Sequence, residues 1–411
     1  MIAWLGFVLL ITVGEARAAD VEFAAQLRAR LEIDAKDFDS DTDAQLFTLQ
    51  RTRFAARFTT DSELTGFIQF QDSRAWGTET NTLSDASADA FDLHQGYVAL
   101  SQVFRQPLTL KIGRMEMIRS NQRLVGAVGW SNTGRSFDGV ELQTNSGGLS
   151  AHLWAASIRD SSTSPETTSQ NDIDRYFSGL FASRTWAEEN QRTDAFVLWD
   201  LDRDIIPSGP DIGEDRLNRW TIGANHFIHY QGVRASIEGA YQLGTQDFDT
   251  LKVDVKAHFL GMRAGYALTD VSWSPELAVG LDWLSGDQDP TDELGTFNTL
   301  FATNHKFYGY MDFFPRLSGF LGLRDYLVRG KVRPNGATSV AVDFHWFRSD
   351  KDDPAGENRF GYEIDTIANY NHSDNLSVQL GYSVFVPKAT LDQAGVLDNA
   401  HWFFVMTTAN L

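Results

Sequence analysis

Cysteine is absent from the 411 residues of this sequence. Disulfide bonds, thiolate catalysis, cysteine-ligated metals and c-type haem attachment are therefore excluded. The sequence also lacks any later run of about 18 apolar residues, the length that a membrane-spanning helix needs. Neither a serine-nucleophile elbow nor a metalloprotease histidine motif occurs. We therefore expect no catalytic activity and no cofactor.

The first residues resemble an export signal. A short apolar run covers Ile2–Val13, and Ala16-Arg17-Ala18 fits a small-x-small cleavage site. The segment before the run carries no Lys or Arg, which departs from the usual pattern. We predict a signal peptide at residues 1–18 and a mature chain at 19–411. The alternative is a buried or membrane helix, although the run is too short to span a bilayer.

Apolar and polar residues alternate with period two from Val21 to the C-terminus. In Val21–Ile33 the odd positions are apolar, while charged residues and Gln occupy most even positions. Such segments extend over about ten residues, whereas strands of soluble sandwiches have about five or six. Strands of this length match tilted strands crossing a bilayer. An exported chain without a membrane helix is either soluble or a closed barrel, and the alternation favours the barrel.

Short and long connections alternate along the chain. Long polar connections are predicted at Asp34–Gln45, Ser73–Ala90, Met117–Arg135, Arg159–Asp172 and Pro387–Asp398. The weak strand candidate His305–Phe314 lacks alternation, so we assign it to a long loop at Gly286–Phe320. We predict an all-β fold: a single closed antiparallel transmembrane β-barrel of about 18 strands. Its long loops would be extracellular and its short turns periplasmic, in the outer membrane of a Gram-negative bacterium.

Tryptophans support this placement. Six of them fall within predicted strands: Trp154, Trp199, Trp220, Trp283, Trp346 and Trp402. Amphipathic rings favour the depth of the lipid headgroups, where they form girdles around a barrel. The alternative is an ordinary aromatic core in a soluble fold.

Acidic residues dominate the predicted outer loops. The formal net charge is −20, which argues against a nucleic-acid partner. Asp287, Asp289 and Asp292 are a candidate calcium site, because hard cations bind clustered carboxylates. Pro290 and the missing central glycine argue against an EF-hand. The alternative is a solvated acidic loop near the cations of lipopolysaccharide.

Basic residues concentrate in the N-terminal third of the chain. The polar faces of the first strands carry Arg28, Arg30, Arg51, Arg53, Arg57 and Lys111, and the next outer loops carry Arg74, Arg114, Arg123 and Arg135. Neighbouring strands would join many of these into one basic wall. Such walls select anions, and guanidinium groups bind carboxylates in a bidentate manner. The alternative is structural pairing with Glu22, Glu32, Glu63 and Glu141.

Several motifs resemble the alginate-export family of outer-membrane barrels. They include Gln71–Gly77, Gly113-Arg114, Arg123–Gly126, Trp130–Val140, Ser285–Asp292, Gly295–Phe297, Asn304–Gly309 and Gly361–Asp365. The resemblance spans nearly all of the mature chain. It implies an 18-stranded barrel and passive export of an acidic polysaccharide through an arginine-lined constriction. It also implies such a role for Arg28, Arg30, Arg51, Arg53, Arg74, Arg114, Arg123 and Arg135.

Other functions fit part of the same pattern. A general porin for small anions or sugars would share the barrel and the basic wall. An outer-membrane enzyme would need acid–base groups, for which His226, His229 and His258 are the candidates. A sleeve around an electron-transfer partner is a further alternative. We expect membrane lipid and lipopolysaccharide as surroundings, periplasmic export machinery as a partner, and a monomer.

Overall fold

The computed structural model describes most of the chain. The described residues are 20–60, 63–77, 91–159, 174–186, 190–203, 207–208, 211–212, 216–248, 251–289, 293–392 and 394–411. The predicted signal peptide at residues 1–18 lies outside them and stays a prediction. No helix in these ranges is both long and apolar enough to cross a membrane.

Eighteen antiparallel strands close into one barrel, as the alternation predicts. They are β1 Asp20–Ala35, β2 Gln45–Thr59, β3 Leu64–Ala75, β4 Phe91–Leu100, β5 Leu108–Met115, β6 Phe137–Ser146, β7 Leu149–Arg159, β8 Arg175–Trp186, β9 Gln191–Asp202, β10 Arg216–Tyr230, β11 Val233–Phe248, β12 Leu251–Ala267, β13 Glu276–Leu284, β14 Leu323–Val332, β15 Thr338–Arg348, β16 Arg359–Asn371, β17 Leu376–Pro387 and β18 Ala400–Asn410. Strand β1 pairs with both β2 and β18. The sheet therefore closes on itself without a free edge.

Short elements accompany the barrel strands. Pro207–Ser208 pairs with Asp211–Ile212, and Glu293–Leu294 pairs in parallel with β12. Short 3-10 helices span Val103–Arg105, Asn304–Lys306 and Arg316–Leu321. The start of β1 and the end of β18 lie at one end of the barrel, which we call the short-turn end. The opposite end is the long-loop end.

The barrel places polar side chains inside and apolar side chains outside. On β1, Leu27 and Leu31 are 47% and 37% exposed, whereas Arg28 and Arg30 are each 4% exposed. This is the reverse of a soluble protein. It suits a sheet whose outer face contacts lipid and whose inner face contacts polar groups.

The lengths of the connections depart from the predicted rhythm at three points. At the long-loop end, only residues 249–250 separate β11 from β12. At the short-turn end, residues 101–107 and 268–275 form longer connections. The period-two pattern of residues locates strands but does not set the length of the connections. The predicted strict alternation of short and long connections is therefore wrong at these three points. The assignment of His305–Phe314 to a long loop is confirmed, because residues 285–322 contribute no barrel strand.

Two long loops fold into the barrel and join each other. We call residues 116–136 loop A and residues 285–322 loop B. Val125 of loop A forms a parallel β-bridge with Phe301 of loop B. Gly126 N donates to Phe301 O at 2.9 Å, and Thr303 N donates to Gln122 O at 3.0 Å. These backbone hydrogen bonds join the two loops inside the barrel.

An aromatic core lies between the loops and the wall. Phe314 of loop B packs on Phe347 of β15, with ring centres 4.3 Å apart. Trp130 of loop A meets Phe404 of β18 edge-on at 4.9 Å. These contacts fix both loops to the C-terminal strands. The tryptophan prediction is wrong in part, because Trp154 and Trp402 are buried and do not face lipid.

Candidate functional site

Two arginines of the predicted basic wall stand side by side on the inner face. Arg28 and Arg51 are register partners across β1 and β2, and both are buried. Like charges opposite each other on neighbouring strands repel. The pair therefore needs acceptors that offset the repulsion, and loop A supplies most of them.

Backbone carbonyls of loop A cap this pair. Arg28 Nη1 donates to Gly129 O at 2.7 Å, and its Nη2 donates to Ser131 O at 2.8 Å. Arg51 Nη1 donates to the same two carbonyls at 3.2 and 3.1 Å. Within the described ranges, neither guanidinium forms an ion pair with a carboxylate. Because carbonyl groups are neutral, the positive charge of the pair is not cancelled.

Arg135 repeats this pattern at the junction of the two loops. Its Nη1 donates to Phe301 O, to Ala302 O at 3.1 Å and to Gly126 O at 3.3 Å. No carboxylate of the described residues pairs with it. Burial lowers the pKa of Arg135 from its ordinary value, with no acidic neighbour opposing the effect. Arg28, Arg51 and Arg135 form what we call the carbonyl-capped arginines.

Arg30 and Arg53 have carboxylate partners as well. Arg30 Nε lies 2.7 Å from Glu32 Oε1, and its guanidinium stacks 4.1 Å from the ring centre of Trp130. Arg53 Nη1 lies 3.2 Å from Glu116 Oε1. These two arginines fit the alternative of structural pairing, since a carboxylate partly neutralises each of them where it contacts loop A.

Arg123 is a buried anchor between the loops and the far wall. Its Nε lies 3.1 Å from Glu238 of β11, and its Nη1 lies 2.9 Å from Asp282 of β13. Its guanidinium also stacks 3.9 Å from the ring centre of Phe307. Burial acts to lower the pKa of Arg123, but Asp282, Tyr308 and Glu238 outweigh it and raise the pKa. Arg123 is therefore charged and holds loop A across the lumen.

Lys111 and Arg57 lie on the inner face nearer the short-turn end. Lys111 Nζ is 4.0 Å from Glu141 and 4.6 Å from the ring centre of Tyr97. Arg57 Nε is 3.7 Å from Glu22, and the Arg57 side chain is 46% exposed. Arg57 is thus the more accessible of the two cations.

Arg74 and Arg114 lie on the other face of the wall. Inward-facing Gln71 accepts a hydrogen bond from Arg53, and Ser73 Oγ donates to loop A. Arg74 alternates with these two residues, so it faces outward, where it pairs with Asp72. Arg114 has the opposite parity to inward-facing Lys111, so it also faces outward, and it pairs with Asp138 at 2.8 Å. The structure therefore does not bring these two into the lumen.

The calcium candidate is only partly described. Asp287 Oδ1 accepts Asp289 N at 2.9 Å, and its Oδ2 accepts Gly295 N at 2.7 Å. Asp292 lies outside the described residues. Asp287 is thus engaged in shaping loop B, and no group of three possible metal ligands occurs among the described residues.

The histidines considered for an enzyme do not all lie on one face of the wall, because His229 lines an inner cavity. His258 is exposed on the outer face of β12, where its ring meets Trp283 edge-on at 4.9 Å. His226 Nδ1 is hydrogen-bonded to Thr193 Oγ1 at 3.0 Å.

A second region rich in basic residues opens below the loops and was missed at the sequence level. A cavity of about 890 Å³ is lined by six arginine and lysine residues. The six are Arg123, Arg192, Arg234, Arg263, Lys306 and Arg329, and each of the five arginines pairs with a carboxylate. Burial and the nearby Arg123 lower the pKa of Lys306. The strand residues come from β9, β11, β12 and β14, and the register of the barrel together with the inward path of the loops brings all six to one cavity.

A sequence model of the alginate-export family, described as "Alginate export", matches residues 19–403. A search of curated proteins found no match. Among solved structures, OccAB4 of Acinetobacter baumannii is 10% identical with a TM-score of 0.62, covering 95% of this chain and 98% of that chain. OpdK of Pseudomonas aeruginosa with vanillate is 13% identical with a TM-score of 0.60, covering 95% and 98%. A BenF-like porin from Pseudomonas fluorescens is 12% identical with a TM-score of 0.60, covering 95% and 99%.

At these identities the solved structures establish the fold, which is that of outer-membrane porins. The barrel therefore lies in a Gram-negative outer membrane, with the short-turn end periplasmic and the long-loop end extracellular. Family and fold are those of channels. Because the family match covers nearly the whole chain, this protein is an outer-membrane β-barrel channel that belongs to the alginate-export family.

Proposed function

We propose that the channel passes an anionic, alginate-like polysaccharide across the outer membrane. The observation that carries this proposal is the set of carbonyl-capped arginines, Arg28, Arg51 and Arg135, whose hydrogen bonds go to neutral acceptors, most of them backbone carbonyls of loops A and B. A charged carboxylate makes a stronger hydrogen bond to guanidinium than a neutral carbonyl does. A uronate that reaches these arginines would therefore replace the loop carbonyls.

The family supports a polymer as the solute. Alginate carries one carboxylate on each sugar, so a chain would present successive anions to the inner wall. Arg57 and Lys111 extend the cations of β1 and β2 toward the periplasm. A polymer strand would need loops A and B to separate, because Val125 and Phe301 bridge them across its route. Replacement of the carbonyls by uronates supplies a driving force for that separation.

A channel for small anions or sugars is the second candidate. The cavity of about 890 Å³ below the loops, which Lys306 and five arginines line, would hold a small carboxylate without any loop movement. The OpdK structure contains vanillate, which is a carboxylate. Under this alternative the loops stay joined, and only small solutes reach the outside.

The proposal further includes a periplasmic partner that delivers the polymer, a monomeric barrel, and removal of residues 1–18 on export. A passive channel adds no driving force to a polymer. Synthesis behind it would therefore have to feed the periplasmic end.

Current through single channels in planar bilayers tests the function. We would measure the reversal potential in a salt gradient, then add polymannuronate or monomeric mannuronate from the periplasmic side. The test variant is Arg28→Gln with Arg51→Gln, which removes both charges at one rung. The matched control is Arg74→Gln, which removes an arginine charge on the outward face.

Polymer export predicts an anion-selective current that polymannuronate blocks at far lower uronate concentration than the monomer does. The double variant should lose most of this block, and the control should keep it. Equal block by monomer and polymer would favour the small-anion channel. A cation-selective wild-type current that is indifferent to both uronates would overturn both candidates.

A further inference from the structure

The outer face of the barrel carries a patch of aromatic rings and cations near its extracellular end. On β15 and β16, Phe347 and Glu363 are buried on the inner side. Trp346 alternates with Phe347 and is 41% exposed on the outer side. Tyr362 alternates with Glu363 in the same way, and it is the register partner of Trp346. The two rings therefore lie next to each other on the surface that faces lipid.

A cation covers each of these rings. The Arg348 guanidinium lies 5.4 Å from the ring centre of Trp346, and Lys388 Nζ lies 5.0 Å from that of Tyr362. The two cations thus lie beside the rings of two residues that are register partners on β15 and β16. We call Trp346, Arg348, Tyr362 and Lys388 the rim patch.

The two cations of the rim patch lack acidic partners. Arg348 Nη2 donates to the neutral Asn358 Oδ1 at 2.5 Å. Lys388 has its ring contact, and neither residue forms an ion pair with a carboxylate of the described ranges.

Two other outward arginines near this rim are neutralised. Arg114 pairs with Asp138 at 2.8 Å, and Arg324 pairs with Asp350 at 2.7 Å. The rim patch differs from these two sites because it holds two uncompensated charges beside aromatic rings.

The rim patch lies at the depth of the lipid headgroups. Arg348 is the last residue of β15, and Lys388 directly follows β17, so both are where strands leave the membrane. Aromatic rings at this depth favour the interface, where one side is apolar and the other is wet. Basic residues at the same depth attract anionic headgroups.

We infer that the rim patch binds the phosphorylated headgroup of an anionic glycolipid of the outer leaflet. Arg348 and Lys388 donate charge-assisted hydrogen bonds to one phosphate. Trp346 and Tyr362 pack against the sugar and the upper acyl chains, where large apolar rings bury area at little entropic cost. The inference rests on the membrane location of the barrel and does not depend on which solute the channel passes.

Native mass spectrometry of the purified full-length barrel in detergent tests this inference. The probes are diphosphorylated lipid A, dephosphorylated lipid A and phosphatidylglycerol, each titrated separately. The test variant is Arg348→Gln with Lys388→Gln, and the matched control is Arg114→Gln, an outward rim arginine with acidic partners. Single-channel conductance equal to that of the wild type would show that the variant barrels are intact.

We expect the wild type to bind diphosphorylated lipid A at least about tenfold more tightly than the double variant does, since two basic residues are lost. The control should bind like the wild type, and dephosphorylated lipid A should bind weakly to all three proteins. Wild-type affinity in the double variant would overturn the inference. Equal wild-type affinity for phosphatidylglycerol would overturn it too, because the patch would then attract any anionic lipid.

Discussion

Guanidinium groups inside this barrel differ in whether their acceptors are carboxylates or backbone carbonyls. Arg123 lies between Glu238 and Asp282, so its charge is neutralised where it is buried. Arg28 and Arg51 meet carbonyls of loop A, so their charge remains available to an anion. At the scale of the residue, an arginine paired with carboxylates stabilises the loops, whereas the carbonyl-capped arginines keep a charge that no carboxylate of the described residues neutralises.

Replacing Arg123 tests the stabilising kind. Arg123→Ala leaves the buried Glu238 without its cation and leaves the buried Asp282 with Arg263 alone, which costs about 3–5 kcal/mol. We expect a lower urea midpoint for unfolding in detergent, together with noisier single-channel currents as loop A loses its anchor. Arg114→Ala is the control, because a more exposed pair contributes about 0–1 kcal/mol. A midpoint for Arg123→Ala as high as that of the control would contradict the anchoring role.

Glu116 gives the loop attachment a pH dependence. Burial acts to raise the pKa of Glu116, but its hydrogen bond with His94 and the charge of Arg53 outweigh this and hold the pKa below its ordinary value of 4.5. A depressed carboxyl pKa contributes stability above the ordinary pKa, and that contribution is lost as the pH falls through the folded value. The contribution of Glu116 should therefore be present at neutral pH and vanish in acid.

Unfolding of the wild type and of Glu116→Gln at several pH values measures this effect. The wild type should be the more stable protein above about pH 5, and the difference should shrink as the pH falls below the ordinary pKa. Glu357→Gln, in an exposed pair with Arg359, serves as the control. A difference between wild type and Glu116→Gln that is as large at pH 3 as at pH 7 would show that the Glu116 charge is not its source.

At the scale of the element, the two inward loops contact each other inside the barrel. They are joined at Val125 and Phe301, which form a parallel β-bridge. Paired strands lie about 4.7–4.9 Å apart, within the Cα range of about 4.4–6.8 Å that a disulfide requires. Because the chain has no cysteine, an engineered pair there would react without competition.

Val125→Cys with Phe301→Cys tests whether the loops must separate. We expect the oxidised channel to keep its small-ion current but to lose polymannuronate block, because the polymer cannot enter between locked loops. Reduction should restore the block. Val125→Cys alone is the control and should respond to neither treatment. Full polymer block in the oxidised channel would show that solute passes without loop separation.

Elements of the wall were predictable from sequence, whereas the paths of the loops were not. Period-two alternation located the strands and put Arg28, Arg51 and Arg53 on one inner surface, because side chains on a strand alternate between faces. The same rule, applied across the end of β3, would have put Arg74 outside. Loops A and B carry no periodicity, so their docking on the arginine wall depends on contacts between residues far apart in the chain.

At the scale of the whole molecule, the barrel separates its charges by depth. The net charge of −20 resides largely in exposed outer loops, as Asp37, Asp41 and Asp43 illustrate. Arg28 and Arg51 are buried within the lumen wall. The acidic composition alone suggests a channel that repels anions. The strand pairing of the closed barrel explains how the same chain carries cations on its inner wall.

Ionic strength should distinguish these two sets of charges. Exposed charges are screened strongly by salt, since the Debye length falls from about 30 Å at 0.01 M to about 3 Å at 1 M, while buried charges are screened less. We therefore expect the acidic loops to weaken anion selectivity, measured as a reversal potential, at low salt only.

Neutralising Asp37, Asp41 and Asp43 to Asn should raise anion selectivity at low salt and leave it unchanged at 1 M. Arg28→Gln with Arg51→Gln should lower it at both salt concentrations. If the loop variant instead shifts the anion selectivity equally at both salt concentrations, the outer loops act at short range on the conduction path. The separation of acidic outer loops from basic inner residues would then not govern selectivity.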